Sequence, residues 1–306
     1  MRSSVKSNMH MKVEHPVASL TQHSTSSPAP AEDSLVSSAH LTHSRRSRLR
    51  TIKAIALNTF RETVRDRVLY NLILFAILLV VASVFVSELS LSEESKFIAD
   101  LGLSAMTIFG AVISIFIGVT LVFKEIDKRT VNFLLAKPVR RYEFIIGKYA
   151  GLSLTLLLNC SVMALGTILA LVYVNHGMSP LVRAMPSAAL LIFLELLVLV
   201  SVALLFSSFT TPMLSALFSF AVFVIGSLSP DLKVAASMSR SGTVRLLLTT
   251  LYYLLPNLSN FGFIAEASHG QTVPLRMALS AALYASIYVL VLLSATVAIF
   301  QSRSFK

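Results

Sequence analysis

The chain has 306 residues, 55% of them hydrophobic and only 13% charged, with a mean hydropathy of +0.76 and a formal charge of +11. That charged fraction is about half the roughly 25% usual in soluble domains, and several apolar runs reach the roughly 20 residues that cross a bilayer. Together these exclude a soluble enzyme or binding domain, and the basic residues cluster at the ends of apolar runs, which argues against a nucleic-acid partner.

Residues 1–44 are rich in Ser, Thr, His, Pro and Ala without apolar periodicity and read as a disordered tail. Five histidines fall here (His10, His15, His23, His40, His43), but their spacing is irregular and a solvated tail explains them better than a metal site. The tail lacks the apolar core of a secretory signal. A transit peptide, or an over-long start with Met9 or Met11 as the true beginning, are the alternatives. Cys160, the one cysteine, lies inside an apolar run and offers neither an intrachain disulfide nor a paired-cysteine site.

From Leu49 to Arg67 the pattern changes. Ile52, Ile55, Ala56, Phe60, Val64 and Val68 recur at three- and four-residue steps, with Lys53, Arg61, Glu62, Arg65 and Asp66 on other faces. That spacing predicts an amphipathic helix in the headgroup layer, or alternatively a basic extension of the first span. Six spans follow, at about 68–88, 104–123, 150–174, 187–207, 212–229 and 278–300.

Flanking charges orient the spans. Residues 45–67 carry eight Lys/Arg and residues 124–148 seven, whereas the connection after span one is acidic, with Glu88, Glu93, Glu94 and Asp100 against Lys96. The positive-inside rule therefore puts both termini and the segment between spans two and three in the cytoplasm. The connection at about 230–277 is then external. Within it Val244 to Leu255 is too short to cross and ends at Pro256, so a re-entrant or interfacial helix is expected, with a short seventh span as the alternative.

The segment between spans two and three, Phe123 to Tyr149, interrupts the apolar chain with mixed charge and its own periodicity. Glu125 to Ala136 is expected to form a short helix with Val131, Phe133, Leu134 and Leu135 supplying apolar surface. Pro138 turns the chain, and a second helix begins near Arg141 with Tyr142, Ile145, Ile146 and Tyr149 as a stripe running into span three. Gly147 and Gly151 form a G-x-x-x-G step, common by chance and of little weight alone. An element apolar on one side and charged on the other suits docking to a cytoplasmic partner.

The run KEIDKRTVNFLLAKPVRRYEFIIGKYAGL resembles the signature of ABC transporter permeases of the ABC-two exporter type, as do NTFRETVRDRVLY, LYYLLPNLSNF and the ending AIFQSRSF. The resemblance covers roughly residues 50–306 and departs slightly at the end, where Ser304 stands in place of a frequent acidic residue. It implies an all-α integral membrane protein: an N-terminal interfacial helix, six transmembrane helices, a cytoplasmic coupling helix between spans two and three, and external re-entrant helices between spans five and six. It divides the chain into a tail, 1–44, and a permease domain, 45–306.

The resemblance further implies a multi-pass protein of the cytoplasmic (inner) membrane that pairs with a second permease, as a homo- or heterodimer. The coupling helix would enter a cleft of a separate ABC-type ATPase subunit, with Glu125, Arg129, Thr130, Leu134, Leu135, Pro138 and Arg140 as the contact positions. The chain itself carries no phosphate loop, since IIGKY has the Gly-Lys pair without the upstream Gly or the following Ser/Thr. It shows no HExxH and no Cys/His metal spacing. No catalytic residue, metal or cofactor is therefore expected; ATP belongs to the partner subunit.

An ATP-independent secondary transporter or channel, or a membrane scaffold, could share this topology. Secondary transporters usually carry polar residues or broken helices in several spans, whereas here only Glu195 lies deep in one. A carboxylate there costs roughly 2.5–3.5 kcal/mol on insertion scales, so Glu195 should face other helices or a wet path. It is either an interhelical tie, with Asn159 and Ser161 as partners, or part of the substrate path or gate.

Overall fold

The computed structural model describes residues 50–65, 70, 74, 77–78, 80–81, 94–127, 141–239 and 241–302. Every regular element among them is helical. In chain order they are α1 (50–64), α2 (Glu94–Asp127), α3 (Arg141–Val174), α4 (Pro180–Ser207), α5 (Pro212–Ser227), α6 (Ser229–Met238), α7 (Gly242–Leu254), a 3-10 turn (Leu258–Phe261), α8 (Ile264–Ser268) and α9 (Leu275–Ser302). The tail expected at 1–44 lies outside the described residues.

Four helices, α2, α3, α4 and α9, are long and apolar enough to cross a bilayer, and α5 with α6 passes the same test as a pair bent by 68°. The described residues thus show four membrane-crossing helices, or five if the bent pair is one span, rather than the six expected. Most of the first expected span lies outside the described residues; Tyr70, Leu74, Ile77, Leu78, Val80 and Val81 are described there, and each is helical.

The fifth expected span, 212–229, is shorter than drawn. At 16 residues α5 is about 24 Å long, less than the roughly 30 Å of a hydrocarbon core. The second expected span begins some ten residues early: Glu94, Lys96 and Asp100, read as connection, are inside α2. The reason is burial. Ile98 and Ala99 are fully enclosed, so the helix gains packing by continuing past its charged edge.

At the centre stands α4. It is apolar nearly throughout, its second half, Leu191 to Ser207, is buried or half-buried at every residue, and it packs on α2, α3, α5 and α9. Ser179 caps its start, accepting from the Val182 N–H at 3.4 Å, and Pro180 follows at the first helical position. Pro186 sits inside the helix and leaves the carbonyl one turn earlier without its usual donor. The α2–α4 packing is close because α2 presents Gly110 to Leu196 and Gly118 to Ala203.

Hydroxyls inside these helices are mostly satisfied locally, since a span has no water to offer them. Ser153 donates to Tyr149 O (2.8 Å), Thr155 to Gly151 O (3.1 Å), Thr167 to Met163 O (3.1 Å) and Ser201 to Val198 O (2.6 Å). Elsewhere they join elements. Ser95 donates to Asn175 Oδ1 at 2.9 Å and ties the start of α2 to the turn between α3 and α4.

The residues between α5 and α9 build a cap on the side opposite α1, called here the far side. α6 and α7 pack on one another, and the 3-10 turn and α8 pack onto α4, with α8 also on α2. Phe261 and Leu258 are buried, and the Tyr284 hydroxyl accepts from the Asn257 N–H at 2.8 Å. Gly226 lets the Pro256 carbonyl approach the end of α5. α7 matches the short helix expected over Val244 to Leu255. Its 13 residues span about 20 Å, too little to cross, and none of them is buried.

Candidate functional site

The charged segment that the sequence singles out is bracketed by two helices that pack on each other, α2 ending at Asp127 and α3 beginning at Arg141. Glu125 lies in the last turn of α2. Arg129, Thr130, Leu134, Leu135, Pro138 and Arg140 lie outside the described residues. The second helix of the segment does begin at Arg141, and it runs without a break into the third span, as the periodicity predicts.

The buried face of those first turns differs from the expected stripe. Of Tyr142, Ile145, Ile146 and Tyr149 only Ile145 is buried, and Ile146 is 38% exposed. Glu143, Gly147, Lys148, Gly151 and Leu152 turn inward instead. At the two glycines the enclosing element is α1. A Cβ at Gly147 would stand 2.8 Å from Ile55 Cβ and 3.2 Å from Ile52 O, and one at Gly151 would stand 2.6 Å from Ala56 O. The two backbones therefore touch where the glycines lie. The Gly-Lys pair of IIGKY is also placed by this packing: it lies within a continuous helix, not in a phosphate-cradling loop.

α1 itself is amphipathic as expected, with Lys53, Arg61 and Glu62 exposed. Its most enclosed residues are Thr59 and Thr63, at 3% and 4% exposure, while Phe60 and Val64 of the expected stripe are half-buried. Small side chains belong at the line of closest approach, and the Thr63 hydroxyl is satisfied by Thr59 O at 2.8 Å. The bulkier Phe60 and Val64 stand at its shoulder.

Two buried charges at this end had no distinct signal in the sequence. Glu143 and Lys148 are 4% and 3% exposed. Lys148 places its ammonium 4.5 Å from the centroid of Phe144, within the range of a cation–π contact, and Phe144 stacks on Phe300 near the end of α9 at 6.5 Å. The first turns of α3 are thus held between α1 and the end of α9.

In the middle of the bundle Glu195 is 5% exposed on α4. Neither expected partner reaches it. The Ser161 hydroxyl donates to Leu157 O at 2.7 Å, and Asn159 Oδ1 is buried with no hydrogen-bond partner among the described residues. Register explains this. The Tyr149 hydroxyl donates to Leu197 O at 3.3 Å across α3 and α4. Glu195 lies two residues from that tie along α4, about 3 Å, whereas Asn159 lies ten residues along α3, about 15 Å. Toward the far side the same two helices enclose a groove of about 310 Å³ lined by Leu157, Cys160, Ser161, Pro186 and Phe193 among others. Among the described residues no group of His, Cys, Asp and Glu gathers at metal-ligating distances.

The class of protein is thus a multi-pass helical membrane protein whose charged segment between two packed spans is its most distinctive polar feature. Residues 53–305 match the ABC-2 family transporter protein family, and the chain belongs to that family. It is a membrane component of an ABC transporter, a permease. No curated protein matches the chain.

Proposed function

We propose that this permease couples ATP hydrolysis by a separate ABC-type ATPase subunit to export of a substrate across the cytoplasmic membrane. Family membership across 53–305 carries the reading, because the match includes the whole charged segment between α2 and α3. The excess of Lys and Arg at 45–67 and 124–148 supports a cytoplasmic position for α1, for this segment and for both termini. The cap of α6 to α8 is then external.

In this reading residues 128–140, preceded by Glu125, dock on the ATPase. Leu134 and Leu135 supply the apolar anchor, while Arg129, Thr130 and Arg140 select the partner and its register, and Pro138 sets the turn. Two permeases, alike or different, pair with two ATPase subunits. ATP-driven closure of the ATPases displaces the two segments and alters the path between the permeases. ATP is held by the partner alone.

The experiment is the double substitution Leu134→Asp, Leu135→Asp. Placing charge in an apolar socket costs about 2–7 kcal/mol for even a neutral polar group and more for an unpaired ion. The variant should insert in the membrane as the wild type does yet lose the ATPase on copurification. A variant that holds the ATPase at wild-type stoichiometry and transports normally contradicts the assignment.

A further inference from the structure

With 28 residues α4 is about 42 Å long, about 12 Å more than a hydrocarbon core of roughly 30 Å. Its first turn, which carries Arg183, therefore stands in the headgroup layer on the far side. Arg183 is exposed and makes no ion pair among the described residues. Pro186 follows three residues on, so the two share a face of α4. The groove between α3 and α4 begins along α4 at Pro186 and runs to Phe193. From Arg183 to Phe193 is about 15 Å, the depth of one leaflet's hydrocarbon, which is half the core.

The groove suits a hydrocarbon chain. Along α3 it extends from Leu157 to Ile168, about 16 Å. Spread over that length, its 310 Å³ makes a channel about 5 Å across. An α-helix with its side chains, about 10–12 Å across, is too broad to enter. Of the lining residues only Cys160 and Ser161 carry a polar side-chain atom, and the Ser161 hydroxyl already donates to Leu157 O at 2.7 Å. A polar cargo would leave its own groups unpaired there. Leu157, Leu165 and Leu190, which line the groove, are exposed, as side chains that meet lipid are.

We propose that this groove holds one acyl chain of a phospholipid whose phosphate is bound by Arg183. The lipid belongs to the leaflet on the far side, external in the reading above; the site itself requires only that α3 and α4 cross the bilayer. The chain gains little by leaving one apolar medium for another, so the charge-assisted contact between guanidinium and phosphate decides the affinity. Anionic phospholipid is preferred, because a zwitterionic headgroup brings its own ammonium to offset Arg183.

The chain has no tryptophan, so a single one placed by substitution reports on the lipid beside it. Phe193→Trp puts the reporter at the inner end of the groove. Leu283→Trp puts it on the exposed face of α9, away from the groove, as the control. Each full-length variant is reconstituted in zwitterionic phospholipid with a rising fraction of anionic phospholipid brominated on its acyl chains, and fluorescence quenching is read. Phe193→Trp should reach half-maximal quenching at about a fivefold lower fraction than Leu283→Trp, the factor that one basic residue near an anionic surface contributes. Adding Arg183→Gln, or filling the groove with Ala189→Phe, should bring the two reporters together. Equal quenching of the two reporters without those substitutions means passing lipid only and overturns the site. So does an unquenched Phe193→Trp in wholly brominated lipid, the result expected if a second copy covers the groove. A preference that survives either substitution overturns it as well. No readout involves the ATPase or transport, so each of these results leaves the proposed function as it stands.

Discussion

Glu195 is a carboxylic acid buried in the middle of an apolar bundle. The hydroxyls of Ser153, Thr155 and Thr167 return to their own helix, whereas the Glu195 carboxyl is hydrogen-bonded to neither Asn159 nor Ser161 of α3. An intramembrane acid with no hydrogen-bonded tie to α3 among the described residues is a candidate for the transport path. Glu195→Gln keeps the shape and removes ionisation, so it should assemble with the ATPase at wild-type levels and lose transport. Full transport by that variant would return Glu195 to a structural role. Glu195→Leu leaves no polar group unpaired and should raise the thermal midpoint of the detergent-purified protein; a fall in the midpoint would mean that the carboxyl has a partner in the folded state.

The glycines separate the ways in which the helices touch. At Gly118 an added Cβ would stand 2.8 Å from Ala203 Cβ, an atom fixed to the α4 backbone, whereas at Gly110 it would meet the tip of Leu196, and at Gly166 nothing within 4 Å. Gly118→Ala should therefore destabilise by about 1–3 kcal/mol through overpacking. Gly110→Ala should cost less, since a leucine tip can turn. Gly166→Ala should stabilise by about 0.5–1 kcal/mol, the ordinary helix preference for Ala over Gly. Unfolding in graded denaturant orders the three, and Gly118→Ala at or above wild-type stability would contradict the close α2–α4 approach.

At this scale the sequence announces much of the fold. Apolar length locates α2, α3, α4 and α9, and Pro256 and the short run before it locate α7. It misses the start of α2, because Glu94, Lys96 and Asp100 look like a connection until Ile98 and Ala99 are seen buried beside them. It overdraws the fifth span, because hydropathy continues through Gly226 to Ser229 while the backbone bends there. The G-x-x-x-G step at Gly147 is written in the chain, but spacing alone does not say which helix fills it. Glu143 and Lys148 likewise read as surface charges, since only the packed chain buries them.

Taken as a whole, the molecule has its conspicuous charge where α1, α3 and the end of α9 meet, and its described elements contain no loop built for a phosphate. The account divides labour between chains, with the permease supplying the path and an ATPase subunit supplying hydrolysis. ATP turnover by the rigorously purified chain in lipid, with and without its ATPase, tests that division most directly. The account predicts no turnover by the chain alone and, once the ATPase is added, turnover that depends on the permease and on the membrane. Turnover by the chain alone would contradict it.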